Sequence, residues 1–181
     1  MPPSYPDWIT TESESGGGAL IDHSVHVIDV MRHVSGLEIA AVSAEAGALL
    51  WDCGVEDVAI LSLAFEGGAG DSIDPSWSVP ADNPWDYDFY LRLLGTEGSL
   101  DITDAAGALN VVSSRDDGPR GLRLQSFGDD ADAVMIEAFL ASIRAGEALE
   151  SCATGYDGLE ALEVALAGYR SSTSAAHVSL T

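Results

Sequence analysis

The stretch DVAILSLAF, residues 57–65, decides the fold because its apolar residues do not alternate with polar ones. Read as a strand, it places Val58, Ile60 and Ala64 on one side and Leu61, Leu63 and Phe65 on the other. A strand that is apolar on both sides is expected to be covered on both. Working outward, strand-like segments recur at 37–45, 56–66, 70–79, 86–95, 98–103, 108–113 and 121–126. The turn signals EGGAGD (66–71), GTEGS (95–99) and RDDGPRG (115–121) separate them at spacings too short for a helical crossover, so the pairing should be antiparallel. Residues 130–146 and 155–172 carry apolar positions three and four apart and read as two closing helices. The expected class is α+β: a mainly antiparallel, open-faced β-sheet of about six strands with helices packed on one face. The other face then needs a second layer, most simply a second copy of the chain in a homodimer or tetramer. Residues 1–15, with three prolines and a Ser/Thr/Glu run, read as an extended arm or interdomain connection, and 16–181 as the domain.

Composition excludes several function classes. Thirty acidic residues stand against seven arginines and no lysine, a formal net charge of -23. Such a surface repels nucleic-acid phosphates and anionic lipid head groups, so neither is an expected partner. Acids spread over every loop fit a halophilic protein, whose self-repulsion is screened in concentrated salt. Without lysine there is no Schiff base and no phosphate-loop lysine. No apolar run approaches the length of a membrane span and the first residues resemble no signal sequence, which points to a soluble, cytoplasmic protein. Cys53 and Cys152 lie far apart with no CxxC spacing, so neither a disulfide framework nor a zinc site is expected.

The chemistry concentrates in GGGALIDHSVHVIDVMRH, residues 16–33. A helix from about 19 to 35, stopped by Gly36, brings Asp22, His26, Asp29 and His33 within about 60° of one another on the wheel. Leu20, Val27, Val30, Met31 and Val34 fall opposite, as the expected buried side. The three glycines before it suit a close backbone approach or a positive φ, or an anion at the helix N-terminus. A metal site is not expected: the 11-position offset from Asp22 to His33 spans about 16 Å of helix, too far for one ion without ligands from elsewhere. His33 near the helix end suits the macrodipole there. His23 projects about 100° from Asp22 and stands behind it at most.

Four pieces in order and spacing, GGGALIDHSVHVID (16–29), VEDVAILSLAFEGGAGDSIDPSW (55–77), YDFYLRLLGTEGSL (87–100) and DGLEALEVALAGYRSS (157–172) followed by HVSL, resemble the C-terminal domain of the Gfo/Idh/MocA family. Its members are NAD(P)-dependent oxidoreductases acting mostly on sugars and polyols. The resemblance implies that Asp22 and His26 line a substrate pocket, with His26 taking the hydroxyl proton and Asp22 orienting or stabilising it. It also implies that Asp29, Trp77 and Asp74 stand near that pocket as substrate-binding candidates.

Family members place a Rossmann domain with a glycine-rich turn and a catalytic lysine ahead of this domain. Neither feature is in these residues, and EGGAG (66–70) lies between two strands with no helix after it. NAD or NADP would therefore enter through a Rossmann half supplied from elsewhere, and this chain alone would bind none. The expected function is the substrate-binding and oligomerisation half of such an oxidoreductase. The alternative is a noncatalytic oligomeric or carbohydrate-binding module of the same descent.

Overall fold

A computed structural model describes residues 6–79, 89–103, 108–113, 121–126 and 131–180. The chain divides into two compact units, residues 1–81 with 153–181, and residues 82–152.

The first unit is built on a four-stranded sheet in the order β3-β2-β1-β8, with β1 Ile39–Gly47, β2 Val58–Phe65, β3 Gly70–Ile73 and β8 Val178–Ser179. Every pairing is antiparallel. Helices α2 (Ala19–Ser35) and α4 (Gly155–Ser174) pack on each other, α4 also against β1 and α2 against β2. Leu20 and Ile28 of α2, Val42 of β1, Leu61 of β2 and Ala165 of α4 are fully buried where these layers meet. Both helices stop and start where local chemistry dictates. Gly36 takes the left-handed φ of 64° and its N–H donates to the Arg32 carbonyl at 2.9 Å, closing α2. Thr154 and Asp157 form a reciprocal capping box that opens α4.

The second unit contains the antiparallel sheet β4-β5-β6-β7 (Tyr90–Gly95, Gly98–Thr103, Ala108–Ser113 and Gly121–Ser126) and helix α3, Ala131–Ala145. Each strand pairs with its neighbour in sequence, as the short turns require.

The α+β class, the antiparallel pairing and helices on one sheet face agree with expectation. The described strands, however, form two sheets of four in place of one of about six. One reason is visible at the end of β3. It stops at Ile73, not 79, because Pro75 has no N–H for a ladder. Ser76 substitutes for backbone pairing: its hydroxyl donates to the Ala59 carbonyl at 3.2 Å and accepts from the Ala59 N–H at 3.1 Å. A second reason is β8, too short to read as a strand until it docks on β1. Residues 86–88 of the expected 86–95 strand lie outside the described residues.

Residues 6–15 are not extended as expected. Asp7–Thr10 forms a 3-10 turn and α1 (Glu12–Ser15) a single helical turn, and the Gly54 N–H donates to the Thr10 carbonyl at 3.2 Å. Hydroxyls favour this local winding: Thr10 and Thr11 both bond back to the Asp7 carbonyl.

On β2, the Leu61, Leu63 and Phe65 side is buried and the opposite side is open in a single chain, with Ile60 52% exposed beside exposed Ser62 and Ala64. Among the described residues no helix is long and apolar enough to cross a membrane.

Candidate functional site

The site begins at the glycines. Gly16 has a φ of +82°, and Gly17 and Gly18 are buried with no room for a side chain. A Cβ on Gly17 would lie 2.0 Å from the Tyr169 hydroxyl, and one on Gly18 would lie 1.9 Å from the Glu56 carbonyl oxygen. Close approach and positive φ are thus both required here. The close approach lets Glu56 cap the helix: one carboxylate oxygen accepts from the N–H groups of Gly18 at 2.9 Å and Leu20 at 3.1 Å, and from the Tyr169 hydroxyl at 2.6 Å. The anion at this helix N-terminus is therefore the protein's own. Burial, followed by the bond to Glu56 and its charge, holds the Tyr169 hydroxyl well above the usual phenol range.

One turn into α2, Asp22 meets two side chains. The Trp77 indole N–H donates to Asp22 Oδ2 at 3.2 Å, and His23 Nε2 lies 3.3 Å from the same oxygen. His23 Nδ1 bonds the Pro75 carbonyl at 2.9 Å, so the segment after β3 holds both rings. That segment is itself anchored. The Trp77 N–H donates to the Asp57 carbonyl at 2.8 Å, and its carbonyl accepts the Trp51 indole N–H at 2.7 Å. Asp57 also organises the preceding loop, its buried carboxylate accepting the N–H groups of Leu49, Leu50 and Trp51. Burial pushes this carboxyl up, but the backbone bonds outweigh it and hold it below the usual range.

Of the four-residue stripe, Asp22 alone is tied to neighbouring elements among the described residues. His26 is exposed and has no hydrogen-bond partner among the described residues, and His33 is likewise exposed. Asp29 is half-buried. Trp77 is only 3% exposed, packed with Ala19 and Val55, so it reaches the site through Asp22. Asp74 is exposed and accepts the Ser76 N–H at 3.1 Å, which turns the chain toward Trp77 without bringing the carboxylate to Asp22.

The buried side of α2 also differs from the expected one. Leu20 and Met31 are buried, but Val30 and Val34 are exposed, Val34 by 53%. The core face is Leu20, Ser24, Ile28, Met31 and Arg32, and two polar residues on it rotate the face away from the valines. Arg32, 7% exposed, donates from Nε and Nη2 to the two carboxylate oxygens of Glu38 at 2.7 and 2.8 Å. That bidentate bond first, against the effect of burial, raises the guanidinium and lowers Glu38.

Sequence reasoning missed Glu56, Tyr169, Asp57 and the engagement of His23. No local pattern marks them, since each acts on residues 6 to 113 positions away. Among the described residues no three His, Cys, Asp or Glu side chains converge as a metal site.

The fold is shared with solved oxidoreductases. A solved levoglucosan dehydrogenase, in complex with NADH and levoglucosan, matches 99% of this chain and 55% of its own with a TM-score of 0.80 at 24% identity. The family is fixed by sequence: the model of the GFO/IDH/MocA C-terminal domain matches residues 1–101, more than half of the 181, and the chain belongs to that family. It is 30% identical to the uncharacterized oxidoreductase YrbE of Bacillus subtilis over 178 residues, 94% of this chain and 49% of that protein. It is 27% identical to the myo-inositol 2-dehydrogenase of Thermotoga maritima over 163 residues, 86% of this chain and 47% of that one. The chain spans about half the length of the curated relatives it matches.

Proposed function

We propose that this chain is the substrate-binding and oligomerisation half of an NAD(P)-dependent oxidoreductase acting on a sugar or polyol, in the cytoplasm of a cell with a salt-rich interior. The observation that carries the reading is Asp22, held by Trp77 and His23 on the outward side of α2, with the unpaired His26 one turn further on. Side chains four apart on a helix have Cβ atoms about 6 Å apart, close enough to address one hydroxyl and its neighbour. His26 takes the hydroxyl proton as the alcohol is oxidised, and Asp22 accepts a hydrogen bond from the substrate. Asp29 borders the same face. The relatives' names, myo-inositol 2-dehydrogenase and levoglucosan dehydrogenase, support a polyhydroxylated substrate.

The EGGAG glycines fall in the turn between the antiparallel strands β2 and β3, not between a strand and a helix. The cofactor belongs to a Rossmann half, and no step at the cofactor is assigned to this chain. The open side of β2, with Ile60 exposed, supports assembly with a second copy through that sheet face.

The test joins or mixes the chain with a nucleotide-binding half of a family relative and follows NADH formation with myo-inositol and levoglucosan. Turnover is expected from the combination and not from the chain alone. Binding of these polyols without turnover in any combination would instead mark a noncatalytic carbohydrate-binding module. The salt reading predicts a melting temperature that rises from dilute buffer to molar KCl, and a flat profile would remove it.

A further inference from the structure

We infer that Trp77 is a positioning residue for Asp22: its indole N–H occupies Oδ2, so that Oδ1 is the oxygen presented to a substrate hydroxyl. The inference rests on the reading of Asp22 as substrate-facing.

The indole of Trp77 cannot turn away. It is buried against Ala19 and Val55, and its backbone is bonded on both sides, N–H to the Asp57 carbonyl and C=O to the Trp51 indole. A buried indole N–H left without an acceptor is costly, so its bond to Asp22 Oδ2 is retained. His23 is oriented just as firmly. Its Nδ1 lies 2.9 Å from the Pro75 carbonyl oxygen and its Nε2 3.3 Å from the same Oδ2, so the ring spans the two.

Asp22 Oδ1 has no partner among the described residues, and the side chain is 28% exposed. The carboxylate is thereby committed as an acceptor of fixed aim, while proton transfer falls to the unpaired His26. A site that holds one acceptor in place for a hydroxyl discriminates against the analogue lacking that hydroxyl, because the acceptor is then left unpaired. Trp77 thus sets which polyols bind without touching them.

The geometry is tested on the 181-residue chain with its four tryptophans labelled at the indole nitrogen. Trp77→Phe identifies the Trp77 indole resonance by its loss. Asp22→Asn is expected to move that resonance and to speed exchange of its proton, with the other indoles unmoved. An unmoved Trp77 resonance in Asp22→Asn overturns the inference.

The role is tested in the reconstituted oxidoreductase. Trp77→Phe keeps the ring and removes the donor, and should raise KM for the polyol about tenfold with kcat within threefold. An unchanged KM, or a loss confined to kcat, overturns the inference. Full turnover in His26→Ala alongside a raised KM in Trp77→Phe would remove the proton assignment and leave the positioning role standing. If no combination turns over, the proposed function fails, and the indole resonance alone decides whether Trp77 holds Asp22.

Discussion

The two ends of helix α2 are both anchored by charge, but side chains from other elements reach the outward stripe at the N-terminal end. At the N-terminal end, Glu56 caps the helix, Tyr169 braces the cap, and Trp77 and His23 converge on Asp22. At the C-terminal end the anchor is the buried Arg32 on Glu38, and it works inward. The outward side there carries His33 and Val34, both exposed. A stripe of titratable residues on a wheel is therefore not one structural unit. What separates its two ends is the segment after β3, which reaches Asp22 through Trp77 and His23 through Pro75.

The most disruptive test of this contrast is on turnover. His26→Ala in the reconstituted enzyme should lower kcat by about 10² to 10⁴, the usual worth of a general base, while His33→Ala stays within a few fold. Steady-state rates with the reverse ranking would show that the C-terminal end carries the chemistry.

Stability tests follow. Gly18→Ala drives a Cβ to 1.9 Å from the Glu56 carbonyl, and the backbone must give way, costing about 3 kcal/mol by urea unfolding. A cost near zero would mean that the glycine approach does not hold the N-terminal end. By contrast, Gly36→Ala has open space and meets only the strain of a φ of 64°, about 1 kcal/mol.

Asp57→Asn removes the carboxylate that orders the loop behind Trp77 and should cost about 2 kcal/mol near neutrality. Because the folded carboxyl lies below its ordinary value, the unfolded chain binds the proton more readily. Its stabilisation is therefore full above pH of about 4 and lost as pH falls through the folded value. Wild type and variant should converge in acid, and parallel melting curves at all pH values would show that the charge of Asp57 is not what matters. Glu38, held low by Arg32, adds an acid slope of the same sign at the other end of the helix.

The smallest effect is a gain. Ser24 is fully buried on the core face of α2, and its hydroxyl has no hydrogen-bond partner among the described residues. Ser24→Ala should stabilise the chain by about 1 kcal/mol, measured by the urea midpoint. A loss instead would mean that the hydroxyl has work to do in the N-terminal half.

Periodicity and turn chemistry by themselves determined the elements. The 17-residue helix α2, the strands at 98–103, 108–113 and 121–126, and their antiparallel pairing are all readable because they depend on neighbours in sequence. The outward stripe from Asp22 to His33 is readable for the same reason. Tertiary structure alone decided the rest. It replaced one sheet with two, because β3 ends at Ile73 before Pro75 and β8 gains its identity by pairing with β1. It turned the core face of α2 onto Ser24 and Arg32, because Arg32 found Glu38. It singled out Asp22 because Trp77 lies 55 residues away in the chain and 3.2 Å away in space. A hydrogen bond depends on separation in space, and a pattern of residue types records only separation along the chain.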